Sequence, residues 1–593
     1  MKKKTVFSVS AAFISTFAIW LHLKINDREL LTLVLAIGLY FLFRNSFSHS
    51  DRRIKTASFV LGILFGLFYT LHDMSLFYGQ TYFLRNLLIC FTGLGLLFSA
   101  VLDRVFSFFK KAEFALAPQQ KITAGKKCAV FFGSFALIYL YFVFWLLLEF
   151  PGTMSIDSFN QLMQSVGLLP YSNHHPLVHT LLIRFWYNLG LKLFDGNQNN
   201  ALALYCAFQA FVMAGCFAFL FETLYISRMK IKHISLVLLA LFVVGYHGMY
   251  SVTLWKDVLF AGWTLVLSCT IWRLCLFCAK NPQKTPVLET VLLFVIGLLF
   301  CLFRSNGLYA FVICVPFLFA FFIKKAPAVS FTPIIVLLLA FVIKGPVFSH
   351  FGVVPSDLIE SLAVPAQHIA RAVRDGAELS EDEYALLSEV IDVPSVPAKF
   401  TPSCADAIKD LVREKDNQEF LKENLGEFFR LWLKLGLRNP ISYLNAQIDL
   451  TSGYWYPENN GWAFTIELIA RPQTLALFEL HKDCKLPQAL YSRIQNLWVK
   501  FYSLPLISLV FSIGTGLYFT LTAFGVCFVK KAYSTMLTFL PVLAVTFTLL
   551  IATPINDEFR YIYGLFTTLP LLCVIPFVPI EKTFSLPIDN LKR

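Results

Sequence analysis

Apolar residues in this chain run in long unbroken blocks, with polar residues collected in the gaps between them. A block of about 20 apolar residues is what a helix needs to cross a bilayer, with allowance for tilt. Such blocks lie near 5–23, 29–43, 56–72, 83–101, 128–149, 201–226, 234–250, 256–279, 287–303, 307–323, 329–348, 503–529, 533–552 and 559–580. The pattern predicts an all-α polytopic membrane protein with about fourteen transmembrane helices, the 29–43 block being short. The stretch 5–23 after Lys2-Lys3-Lys4 is expected to be a retained first span, since no small-residue cleavage site follows it before Lys24.

Basic clusters at every second gap set the expected sidedness, because Lys and Arg are retained on the cytoplasmic side. They are Arg44/Arg52/Arg53/Lys55, Lys110/Lys111/Lys121/Lys126/Lys127, Arg228/Lys230/Lys232, Lys280/Lys284, Lys324/Lys325 and Lys530/Lys531. Both termini are then cytoplasmic, and the chain is a multi-pass protein of the cell membrane. The block 176–194 threatens this parity. As a span it would bury Arg184 near its centre, at about 2.5–3.5 kcal/mol on the insertion scale, so it is expected to be an amphipathic helix on the outer membrane face.

Five regions follow. They are an N-terminal four-helix membrane module (1–104), a membrane core (128–348) with an outer loop at 150–200, a mostly helical extracytoplasmic domain (349–501), C-terminal membrane helices (502–580) and a cytoplasmic tail (581–593). Within the outer domain, 428–437 reads as a further helix lying on the membrane.

Composition agrees with the block pattern: 57% of residues are apolar, 16% aromatic with 63 Phe, and only 15% charged, against about 25% charged in soluble domains. The net charge of +13 belongs to the cytoplasmic gaps, since 349–501 carries 15 Lys/Arg against 21 Asp/Glu. A cationic excess distributed in this way reports topology and excludes a nucleic-acid partner. Most of the thirteen cysteines fall in or beside apolar blocks, where Cys packs as a small hydrophobe. The Cys275/Cys278 pair is expected to pack in that way, and Cys404 with Cys484 is left open as a possible disulfide.

The ionisable and His residues at the hydrocarbon boundary gather at the outer ends of the predicted spans, where each must be paired or functional. The loop after 128–149 carries Asp157, Gln161, His174, His175 and His179. The later outer turns carry Lys256-Asp257, Arg304-Ser305-Asn306 and Asn556-Asp557-Glu558-Phe559-Arg560-Tyr561. Each has a structural reading as well. Asp157 suits an N-cap for a helix at 158–167, and Lys256-Asp257 suits a local ion pair at a helix start. The spacing of His175 and His179 suits hydrogen bonding more than metal ligation, and the arginines suit lipid-headgroup anchoring. Taken together, carboxylates serve as a base or cation ligand and fixed cations hold a phosphate, which is the chemistry of moving a sugar from a polyprenyl phosphate.

On these residues the chain resembles the GT-C superfamily of integral membrane glycosyltransferases, and is similar to uncharacterised bacterial multi-pass families with an Asp-Ser…Gln…His-Pro outer loop. The resemblance lies in Pro151-Gly152…Asp157-Ser158…Gln161, Tyr171-Ser-Asn-His-His-Pro176, Arg304-Ser-Asn-Gly307 and Phe559-Arg-Tyr561. It implies a GT-C-like core and a polyprenyl-phosphate-sugar donor. Asp157 is then the catalytic carboxylate, with Asp257 as the alternative. Arg304, Arg560 and Lys256 hold the donor phosphate, and Gln161, His174, His175, Asn306 and Tyr561 bind substrate. Asp157 is also the candidate ligand for a divalent cation such as Mg or Mn, should one take part. The expected partners are the donor, a cell-envelope glycan or lipid acceptor, and membrane lipids. The four leading spans and the insertion at 349–501 depart from the simplest form of that fold.

The alternative function is a transporter or flippase for a lipid-linked or amphiphilic substrate; a non-catalytic envelope scaffold is a third. A transporter is expected to show broken or repeated spans and ionisable residues near the midplane. The sequence pattern indicates neither.

Overall fold

A computed structural model describes residues 2–25, 30–47, 51–113, 122–281, 284–457 and 477–578. The expected cytoplasmic tail, 581–593, lies outside them. Among the described residues the chain is all-α, with only isolated β-bridges and no strand. Helices are what hydrocarbon permits, because each satisfies its own backbone polar groups.

Among the described residues, ten helices are long and apolar enough to cross a membrane, or eleven if the bent pair Gln488–Tyr502 and Pro505–Phe511 is one span. The count differs from fourteen because four of the apolar blocks fold as shorter helices: Leu30–Asn45, Ile231–Val243, Val287–Phe303 and Ile513–Val529. The bent pair turns by 88°, a break that block length alone does not reveal.

The N-terminal module consists of α1 (Lys2–Leu23), α2 (Leu30–Asn45), α3 (Arg52–Phe77) and α4 (Phe83–Lys111). Small residues let α3 and α4 approach closely: a Cβ on Gly62 or Gly66 would collide with Ser99 or with the backbone at Gly95. Two of its buried carboxylates are paired, His22 Nδ1 lying 2.8 Å from that of Asp73. Asp103 accepts a hydrogen bond from the Phe47 amide at 3.0 Å.

The core follows as α5 (Ala124–Leu148), α6 (Ile156–Ser165), α7 (Leu177–Leu193), α8 (Gln198–Ile226), α9 (Ile231–Val243), α10 (Tyr246–Ser251), α11 (Lys256–Lys280), α12 (Val287–Phe303), α13 (Ser305–Phe322) and α14 (Pro327–Val342). Of these, α11 is central and almost wholly buried against α8 and α12. The block 176–194 is indeed a helix, α7; it packs on α8, and Arg184 stands at the surface with its guanidinium donating to the Tyr171 hydroxyl.

The inserted domain has its own apolar core around Ile359, Ile369, Ile408 and Leu431. Its main helices are α15 (Ala363–Arg374), α16 (Asp406–Glu414), α17 (Leu425–Arg438) and α18 (Pro440–Trp455). The α17 helix covers the expected 428–437 and has two apolar sides: Phe428, Leu431 and Leu435 are buried in the domain, while Leu433 and Leu437 are exposed. The chain then returns to the bundle through α19 (Ile513–Val529), α20 (Leu540–Ala552) and α21 (Phe559–Val574), which packs along α11. The α19 helix also packs on α3 and α4, joining module to core.

Two bridges clasp the inserted domain to the bundle. Val354 pairs in parallel with the segment at Ser172, its amide donating to the Tyr171 carbonyl at 2.8 Å. Cys404 pairs antiparallel with Ile555, flanked by the Asn556 amide donating to the Ser403 carbonyl at 2.8 Å. All thirteen cysteines are free, so Cys404 and Cys484 do not pair.

A charged cluster where five segments meet

Local hydrogen bonds fix the register of the first two segments. The Thr153 amide donates to the Val252 carbonyl at 3.1 Å, and the Leu254 amide donates back to the Thr153 carbonyl at 2.9 Å. This bridge sets the entry to α6 beside the entry to α11. Trp255 Nε1 donates to Ser155 Oγ at 2.7 Å, and Ser158 Oγ donates to the Leu254 carbonyl. Ser155 is the N-cap of α6, which leaves Asp157 free of the capping role in its first turn.

Asp157 therefore projects toward two cations. Arg560 Nη1 lies 2.8 Å from its Oδ2, and Lys256 Nζ lies 3.9 Å from the same oxygen. Burial alone would raise the Asp157 pKa, but the fields of Lys256 and Arg560 outweigh it and hold the carboxyl well below its usual range. Lys256 also donates to His175 Nδ1 at 3.1 Å. Burial first, and then the Lys256 charge, push the His175 imidazole well below its ordinary pKa, so it is neutral and able to accept that bond.

Lys256 and Asp257, adjacent in sequence, do not pair with each other. Neighbouring helical positions point about 100° apart, so they address different partners. Asp257 Oδ1 lies 2.5 Å from Arg304 Nη1, at the junction of α12 and α13. The contact is one of charge without hydrogen-bond alignment, and both Asp257 oxygens and Arg304 Nη1 are buried with no hydrogen-bond partner. The Arg304 guanidinium lies 4.5 Å from the Tyr561 ring centroid, and that of Arg560 lies 5.2 Å from the same ring and 5.0 Å from Trp255.

The last segment adds a residue for which sequence reasoning set no role. Glu558 is buried, with Oε1 3.4 Å from Arg560 Nε and no hydrogen bond. Burial is the main reason its pKa rises, to about 7, with the neighbouring Asp257 and Asp157 charges adding to it and Arg560 opposing. The signal for it was the turn itself, four of whose six residues from Asn556 to Tyr561 are charged or amide-bearing.

Among the expected substrate-binding residues, His175 and Tyr561 join the cluster. His174 sits at its edge, 3.5 Å from Ser356 Oγ of the inserted domain, and Asn306 is half-buried in the first turn of α13. Gln161 is turned inward. It is buried, accepts from His179 Nδ1 at 3.0 Å and donates to Thr180 Oγ1 at 3.0 Å, and Tyr205 closes this network on His179 Nε2 at 2.7 Å. Those bonds give Gln161 and His179 a packing role that their sequence positions beside Asp157 do not reveal.

A divalent cation does not suit Asp157 in this arrangement. Two fixed cations already share its carboxylate, and among the described residues no group of three or more His, Cys, Asp or Glu is placed to hold a metal. A family model described as a family of unknown function (DUF6020) matches residues 168–582, well over half of the chain. The chain belongs to this family. The match takes in every charged residue of the cluster except Asp157, which lies ahead of it. No curated protein and no solved structure matches the chain.

Proposed function

We propose that this member of the DUF6020 family transfers a sugar from an outward-facing polyprenyl-phosphate donor to a cell-envelope glycan or lipid. One observation carries the reading: Lys256, Arg304 and Arg560 converge with Asp157 and Asp257 at the ends of apolar helices, leaving buried polar atoms of Asp257, Arg304, Arg560 and Glu558 without hydrogen bonds. These atoms meet one another only as ion pairs, so hydrogen-bonding capacity of both signs is left for a charged ligand to satisfy. A lipid phosphate meets the requirement, since its chain lies in the bilayer and its head at the helix ends. In this reading the core is GT-C-like, the short apolar helices complete a fourteen-span topology, both termini are cytoplasmic, and 349–501 is extracytoplasmic.

The chemistry is an inverting or retaining displacement at the sugar's anomeric carbon. The acceptor oxygen forms the new C–O bond while the bond from carbon to the phosphate oxygen breaks, its electron pair leaving with the polyprenyl phosphate. The phosphate gains charge as it leaves, and preorganised Arg304, Arg560 and Lys256 stabilise that charge. Asp157, one-third exposed and held ionised, accepts the hydrogen bond of the acceptor hydroxyl and orients it. The hydroxyl proton ends on the released phosphate monoester, which is more basic than the diester it came from.

The test is purified protein with a synthetic polyprenyl-phosphate sugar and extracted envelope acceptors, with sugar transfer and free polyprenyl phosphate both measured. Equimolar appearance of both is expected; neither product, together with unchanged envelope glycans in a deletion strain, overturns the proposal. The 88° break between Tyr502 and Pro505 favours a second reading, a transporter for a lipid-linked substrate, because broken helices accompany such sites. Movement of intact donor across a vesicle membrane without transfer would select it.

A further inference from the structure

The cluster holds three cations, Lys256, Arg304 and Arg560, and three carboxylates, Asp157, Asp257 and Glu558. The carboxylates are not equivalent. Asp157 is shared by two cations and is one-third exposed, and Asp257 is in direct charge contact with Arg304. Glu558 is 5% exposed and has one cation, Arg560, at 3.4 Å; that guanidinium is committed through Nη1 to Asp157. The other groups facing Glu558 are Asp557 and Tyr561 on its own turn, Asp257 from α11, Arg304 from the α12–α13 junction, Tyr250 from α10 and Tyr454 from α18. The Tyr454 hydroxyl accepts from the Glu558 amide at 3.3 Å and leaves the carboxylate untouched.

With these six groups ionised their charges cancel, and Asp557, facing Glu558, adds a further negative charge when it is ionised. A phosphodiester headgroup carries one further negative charge, and an uncompensated charge in a buried site is strongly disfavoured. Of the three carboxylates, Glu558 is the one whose ionised form has the least cationic support, so it gives up its charge most readily. We propose that Glu558 takes up one proton when a phosphodiester headgroup enters this cluster, making anion binding at the site proton-linked. This rests on the phosphate-site reading above and adds a regulation to it. The balance is simple: the headgroup brings one negative charge, the proton from solvent brings one positive charge, and no bond of the ligand changes. The raised pKa of Glu558, about 7, places the linkage near neutral pH.

Affinity for the anion then falls as pH rises above about 7, approaching tenfold per unit for one linked proton. The probe is dodecyl methyl phosphate, a monoanion with no titration of its own between pH 5 and 9. Binding to the full chain in nanodiscs, above that to empty nanodiscs, is followed calorimetrically in buffers of different ionisation enthalpy. At pH 8 close to one proton is expected to be taken up per ligand, and at pH 5.5 almost none. Glu558→Gln is expected to abolish the uptake and flatten the pH dependence while still binding. Asp557→Asn is expected to keep the uptake, which separates Glu558 from the neighbouring carboxyl group able to bind the proton. Binding without proton uptake by the parent, equal uptake in Glu558→Gln, or uptake lost in Asp557→Asn overturns the linkage alone. Failure of the parent to bind at any pH overturns the phosphate-site reading as well.

Discussion

Asp257 Oδ1 and Arg304 Nη1 meet at 2.5 Å, the carboxylate fully buried and the guanidinium 9% exposed. A buried pair of this kind contributes little to net stability while intact, but loss of one partner leaves the other as an unpaired buried charge. Arg304→Ala is therefore expected to destabilise the folded protein by about 3–5 kcal/mol. The double variant Asp257→Asn/Arg304→Met is expected to recover most of that loss. Thermal melting of the purified variants in one detergent checks both, and an additive double variant would show that the pair is not coupled.

Asp157→Asn is expected to fold and to lose transfer by about ten- to a hundredfold, as loss of one charge-assisted hydrogen bond to the acceptor hydroxyl implies. Ser155 caps α6, so the substitution does not disturb the helix start. What it removes is the anion that Lys256 and Arg560 share. Turnover of Asp157→Asn near that of the parent in the donor and acceptor assay would leave Asp157 as a surface partner for these cations and nothing more.

Arg560→Lys retains charge but loses the planar fork that spans Asp157 and Glu558. Binding of a phosphodiester lipid is expected to weaken by about tenfold, in line with the loss of one charge-assisted hydrogen bond. Equal dissociation constants for parent and variant would remove Arg560 from the phosphate site.

Glu558 also sets a pH dependence of stability. Its folded pKa, about 7, lies above the ordinary Glu value of 4.5. The folded state therefore holds the proton that the unfolded chain releases. The contribution is full below pH 4.5 and is lost as pH rises through 7. Relative to the parent, Glu558→Gln is expected to gain melting temperature at pH 8 and to lose that advantage toward pH 5. A constant difference across this range would show that the two states of Glu558 titrate alike.

Sidedness is open to a direct measurement. A cysteine introduced at Asn197 or Gln418 is expected to react with an impermeant thiol reagent on intact cells. Reaction only after permeabilisation would invert the topology and place the charged cluster on the cytoplasmic side.

Much of this arrangement was legible in the chain because hydrocarbon is a strict solvent. The apolar blocks locate the helices, and the rarity of charge within them directs attention to Asp157, Lys256, Asp257, Arg304 and Arg560 at their ends. Partner choice was not legible. Lys256 and Asp257 are neighbours in sequence and separate in space because of helical rotation, and Gln161 sits beside Asp157 in sequence yet turns to His179. Glu558 stayed without a role because its distinguishing property, burial with one shared cation, arises only when α6, α11 and α21 come together. The break at residues 503–504 was missed because Arg493, Gln495 and Lys500 make the first arm read as part of the polar outer domain, while the second arm reads as the start of the next apolar block.

The two bridges of the inserted domain have a consequence for how this molecule can be divided. One holds the strand-like segment just ahead of His174, and the other holds the turn that leads into Glu558 and Arg560, nearly four hundred residues later. The domain is thus a splint across two halves of one charged cluster, and cannot be an independent cargo hung from a finished membrane unit. Excising it would free both loops at once, so a minimal version of this protein must keep the splint or supply another in its place.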